Sequence, residues 1–175
     1  MNKKQVIFYD IICFLNKYNK IGKNDKRGGM SMEDYNVKVL DEVNKGTTMG
    51  MDAISYVADK VGDKRFQEVL DVEYGKYKEI NTRVNDIYSQ YSSKEPQTTN
   101  AMNKMMTWYG IQMNTFKDQS NSKISELLLQ GTNMGIIEGR RLLNNNPSID
   151  KEVKQILNDF VVMQEDSMET LKKYL

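Results

Sequence analysis

The chain has 175 residues, 39% hydrophobic and 28% charged, with a formal net charge of +1. That suits one soluble domain and argues against a nucleic-acid binder, which would carry a basic excess. With no histidine and a single cysteine, Cys13, an intrachain disulfide, a cysteine cluster and every imidazole-based nucleophile or metal site are excluded.

Residues 1–29 read as an N-terminal extension. The apolar run Val6 to Leu15 contains Asp10 and is too short for a membrane span. No small-x-small cleavage site follows it. Two readings stand. In one, translation begins at Met30 or Met32, since codons for Arg27-Gly28-Gly29 can read as a ribosome-binding-site-like purine run. The Lys, Asn, Ile, Tyr and Phe content is then that of translated AT-rich intergenic DNA. In the other, a short helix from Lys3 to Tyr18 is tethered by a polar Gly/Lys/Asn linker.

Residues 30–175 are expected to form a single all-α domain. A first helix runs from about Met32 to Lys60, with Ser31 and Asp34 as a capping-box-like start. Its inner stripe is Leu40, Val43, Thr47, Gly50, Ile54, Val57 and Val61, at the alternating three-and-four spacing of a bundle seam. Gly62-Asp63 ends it and caps a second helix from about Lys64 to Tyr91. That helix points Phe66, Leu70, Glu73, Tyr77, Ile80, Val84, Ile87 and Tyr91 inward. So short a turn forces the two helices antiparallel. After a polar break containing Pro96, a third helix from about Asn100 to Lys117 carries Met102, Met105, Met106, Tyr109, Met113 and Phe116 on one face. A fourth runs from about Ser122 to Asn144, and Pro147 closes it. A fifth runs from about Ser148 to Tyr174, with Val153, Ile156, Leu157, Phe160, Met163 and Leu171 inward.

The chain repeats itself. Gly46-Thr47-Thr48-Met49-Gly50-Met51 returns as Gly131-Thr132-Asn133-Met134-Gly135-Ile136, 85 positions on. The segment Asp63 to Leu70 returns as Asp150 to Leu157, 87 positions on, with the extra residues at Asn146-Pro147-Ser148. Two helical hairpins therefore share one plan, and the third helix is the crossover between them.

Five glycines, Gly46, Gly50, Gly131, Gly135 and Gly139, sit inside helices. Each costs about 1 kcal/mol against alanine, so some packing must offset them. Their four-residue spacing predicts close packing of the first helix against the fourth. A ligand groove at the same place is the rival reading.

A hairpin duplicated around a crossover resembles the ferritin-like superfamily, and in particular the small helical ferritin-like proteins of Gram-positive bacteria. The resemblance covers about residues 32–175 and rests on fold plan more than on motif. It implies a ferritin-like four-helix bundle in a cytoplasmic bacterial protein. In metal-binding members the first helix of each hairpin gives an inward Glu and the second gives Glu-x-x-His. Here those places hold Thr47 and Gly50, Thr132 and Gly135, Glu73-x-x-Lys76, and Phe160-x-x-Met163. Carried over residue by residue, the di-iron site is absent.

Glu73 is the one charged residue on its stripe. A carboxylate in a bundle core must be paired or protonated. Lys76 is one turn away, and Tyr77 could donate a hydrogen bond. The plainer reading puts Glu73 at the edge of the seam, in water. The methionine face of the third helix suits either core packing, a dimer seam included, or an interaction surface for varied partners.

No catalytic residue, metal ligand or cofactor is assigned. The expected role is that of a non-enzymatic bundle acting as a homodimer or other homo-oligomer, or through a protein partner, with neither nucleic acid nor membrane. One alternative is a divergent carboxylate-based metal protein, an oxidoreductase or iron store, for which Asp52, Glu138 and Asp166 would have to converge on Glu73. A further alternative is a carrier of a small apolar ligand.

Overall fold

The computed structural model describes residues 31–96 and 119–175. The expected third helix, with Met102, Met105, Met106, Tyr109, Met113 and Phe116, lies outside the described residues, as does the extension 1–29. The described residues belong to one unit, Ser31–Leu175. They form four α-helices and contain no strand.

Local chemistry sets the helix ends. Helix α1, Met32–Ala58, opens on a reciprocal capping box. The Asp34 N–H donates to Ser31 Oγ at 3.2 Å and the Ser31 N–H to Asp34 Oδ2 at 3.0 Å, so aspartate serves where glutamate is usual. Helix α2, Lys64–Tyr88, is capped by Asp63, whose carboxylate accepts from the N–H groups of Arg65 and Phe66 at 2.8 and 3.1 Å. These bonds, the Phe66 one foremost, hold the Asp63 carboxyl below its usual range. Helix α3, Asn121–Asn145, starts at Ser120, whose hydroxyl accepts from the Lys123 N–H. Helix α4 spans Lys151–Leu171 and ends in a 3-10 turn, Lys172–Tyr174. It begins three residues later than the sequence suggests. The Asp150 N–H donates to Asn36 Oδ1 of α1 at 2.9 Å, so the N-cap is tied to α1, and residues 147–149 form a turn and bend before it. Helix α2 likewise stops at Tyr88 and passes into a turn, so Tyr91 lies beyond the regular helix.

Contacts between the helices fix their directions. Tyr88 meets Asp41 and Asn81 meets Asn44, so α1 and α2 are antiparallel. Ser125 bonds Leu171 and Arg140 bonds Glu165, so α3 and α4 are antiparallel. Arg83 pairs with Asp159 at 2.7 Å, and the Phe66 ring stacks on Tyr174 with centroids 4.3 Å apart, so α2 and α4 are antiparallel. Asn36 meets Asp150 and Gly46 meets Phe160, which makes α1 and α4 parallel. A hydrogen bond between Asp63 and Asn121 places the start of α3 beside the start of α2. The end of α2 and the start of α3 thus lie at opposite ends of the bundle.

The inward stripes form one core. Leu40, Val57, Phe66, Leu70, Val84, Ile124, Val153 and Leu157 are fully buried in it and supply the apolar burial that drives folding. No helix among the described residues is long and apolar enough to cross a membrane.

Candidate functional site

The seam of α2 carries Glu73 into the middle of the bundle, where it is 2% exposed. It does not reach water at the edge of the seam. The Lys76 ammonium lies 2.7 Å from Glu73 Oε1, and the lysine side chain stays 34% exposed at its outer end. The second oxygen, Oε2, accepts from the hydroxyl of Ser167 on α4. One partner therefore comes from the next turn of the same helix and the other from the facing hairpin. Buried carboxylates persist when their lone pairs are satisfied in this way.

Tyr77 is buried beside this pair but does not bond it; Ser167 fills the donor role. Burial pushes the Tyr77 phenol up to about 12, its hydrogen bond with Thr132 of α3 works against that shift, and the charge on Glu73 adds to it. Gln164 of α4 is also buried here, 2% exposed. Glu73, Tyr77, Thr132, Gln164 and Ser167 thus form a polar layer fed by α2, α3 and α4. The spacing Phe160, Gln164, Ser167, Leu171 continues the inner stripe of α4, and that signal could have revealed Gln164 and Ser167.

A second polar layer joins α1 to α2. Asn81 Nδ2 donates to Asn44 Oδ1 and to Thr47 Oγ1, each at 2.8 Å. The Thr47 hydroxyl lies 3.0 Å from the Val43 carbonyl and 2.9 Å from that of Asn44. One turn further, the Tyr88 hydroxyl donates to Asp41 Oδ1 at 2.7 Å. Burial first, and then Asp41, push that phenol up to about 12.

The glycines do something other than bring two backbones together. A Cβ on Gly46 would sit 2.6 Å from the Phe160 ring of α4, and one on Gly50 2.5 Å from the Tyr77 ring of α2. A Cβ on Gly135 would fall 1.9 Å from Gln164 Oε1, and one on Gly139 2.4 Å from Val161 Cγ2. Each glycine leaves a socket for a side chain of a neighbouring helix. At these four positions the nearest atoms are side-chain atoms of α2 and α4, whose bulk needs that space, and not the backbone of α1 or α3. Gly131 lies in α3 and is half-buried.

These residues do not fit a di-iron centre. Thr47 is hydrogen-bonded within its own layer, Gly50 and Gly135 are sockets, and Phe160 fills the space over Gly46. The three carboxylates that would have to join Glu73 do not. Glu138 pairs with Arg141 at 3.2 Å on the surface, Asp166 is exposed, and Asp52 Oδ2 is buried with no hydrogen-bond partner among the described residues. Burial raises the Asp52 carboxyl above its usual range. Among the described residues, no group of three or more His, Cys, Asp or Glu side chains is placed to hold a metal ion.

No protein-family model, curated protein or solved structure matches the chain.

Proposed function

We propose that this chain is a non-enzymatic, ferritin-like bundle of two duplicated hairpins, without the di-iron site, that works in the cytoplasm by self-association. The observation that carries the reading is Glu73: its two oxygens are taken by the Lys76 ammonium and the Ser167 hydroxyl. Where metal-binding members of the superfamily would place a cation, this chain supplies a lysine. An ammonium held this close neutralises the carboxylate from within. The helix directions support the ferritin-like reading, because a chain that leaves α2 at one end and enters α3 at the other needs a crossover along the bundle. The repeated Gly-Thr-x-Met-Gly segment supports duplication, since Thr47 and Thr132 are both buried and each bonds back to the preceding turn.

Anaerobic titration of the purified protein with ferrous ion, with Glu73→Ala alongside, tests the reading. The expected outcome is no stoichiometric binding by either protein and no iron-oxidising activity on admission of oxygen. About two ions per chain, lost in Glu73→Ala, would make the chain a divergent carboxylate metal protein instead.

A further inference from the structure

The hydroxyl of Ser167 on α4 is crowded with acceptors. It is 1% exposed and has a single proton to give, which goes to Glu73 Oε2. Met163, one turn back on the same helix, sets two more atoms beside it. The Met163 carbonyl oxygen lies 2.9 Å from Ser167 Oγ and the Met163 sulfur 3.7 Å from it. A thioether is a weak acceptor, so the sulfur leaves the proton with the carboxylate. Met163 packs against the core but is only partly buried, so its neighbours do not enclose it.

We propose that Met163 is an oxidation site through which a peroxide loosens the joint between the two hairpins. A sulfur lone pair attacks one oxygen of hydrogen peroxide. The O–O bond breaks, an S–O bond forms, and the other oxygen leaves as water with both protons. Sulfur is oxidised and peroxide reduced by the same electron pair. The product is a polar sulfoxide, which methionine sulfoxide reductases can reverse. Its oxygen is a strong acceptor where the thioether was a weak one. Two strong acceptors, the sulfoxide and Glu73 Oε2, then face one hydroxyl proton. Whichever takes it, the other is left in the core without a partner. When the sulfoxide takes it, Glu73 keeps Lys76 on Oε1 but loses its hold on α4. The inference concerns the joint alone and holds for a monomer as for a dimer.

Treating the full chain with dilute hydrogen peroxide well below its melting temperature, followed by peptide mapping and thermal unfolding, tests this. The expected result is one oxygen added at Met163 and a melting temperature lowered by about 5 °C. Met163→Leu, a volume-conserving change, is spared that loss. Glu73→Gln loses less than the wild type. Its amide NH2 donates to Ser167 Oγ, which frees the hydroxyl proton for the sulfoxide. Added bulk or polarity at Met163 alone would cost both proteins the same. Met163 left unmodified in the folded chain overturns the proposal. So does a loss shared by Met163→Leu, or an undiminished loss in Glu73→Gln.

Discussion

Ser167 shows how much a small hydroxyl can decide. It satisfies the second oxygen, Oε2, of a carboxylate that is almost wholly buried, and it does so from the opposite hairpin. Ser167→Ala leaves that oxygen without a partner, and an unsatisfied buried acceptor costs about 1–3 kcal/mol. Urea unfolding should show a loss of that size with the helices intact. Asp52 presents the opposite case, a buried carboxylate oxygen with no hydrogen-bond partner among the described residues. Desolvation raises its folded pKa above the ordinary value of 3.8. The charged form therefore weakens the fold above the raised pKa, and the penalty disappears below the unfolded value. Asp52→Asn should raise the melting temperature at neutral pH, with the gain shrinking as pH falls toward 4. A gain that does not change between neutral pH and pH 3.5 would rule out charge desolvation as its cause. Asp63 runs the other way. Its folded pKa is lowered, so its cap contributes above the unfolded pKa and is lost as pH falls through the folded one.

Among the helices, the glycines form a graded series. Gly50→Ala drives a methyl into the Tyr77 ring, which is buried and cannot retreat. Overpacking of this kind costs about 1–3 kcal/mol, against a helix-propensity gain of about 1 kcal/mol, so a net loss is expected. At Gly135 the clashing atom is the end of the flexible Gln164 side chain, which can swing aside, so Gly135→Ala should be close to neutral. Thermal unfolding of the two variants side by side checks the order. An equal loss in both would mean that backbone approach, not side-chain bulk, selects these glycines. The sequence pattern located the glycines but misassigned what they face. Four-residue spacing says that one stripe of a helix is bare, and says nothing about which neighbour fills it.

For the whole molecule, the seams were legible in the sequence. Leu40, Val43, Ile54 and Val57 on α1, and Phe66, Leu70, Ile80 and Val84 on α2, are buried as their period requires. Amphipathic period is a strong signal because one face of each helix must leave water. The partners of Glu73 were only half legible. Lys76, one turn along the same helix, follows from helical geometry, but Ser167 depends on how α4 lies against α2, 94 residues away in sequence. Small polar residues on a stripe look like gaps until the facing residue is known. Glu73, Lys76 and Ser167 together form a joint between the two hairpins, and the claim that this joint consumes the core carboxylate is central. A double-mutant cycle on Glu73→Gln and Lys76→Met, read by denaturant unfolding, tests it most directly. The lysine is 34% exposed, so solvent screening lowers the expected coupling to about 1–2 kcal/mol. Coupling of that size, unchanged by added divalent metal, is the predicted result. Additive effects, or a Lys76→Met protein restabilised by divalent metal, would contradict it.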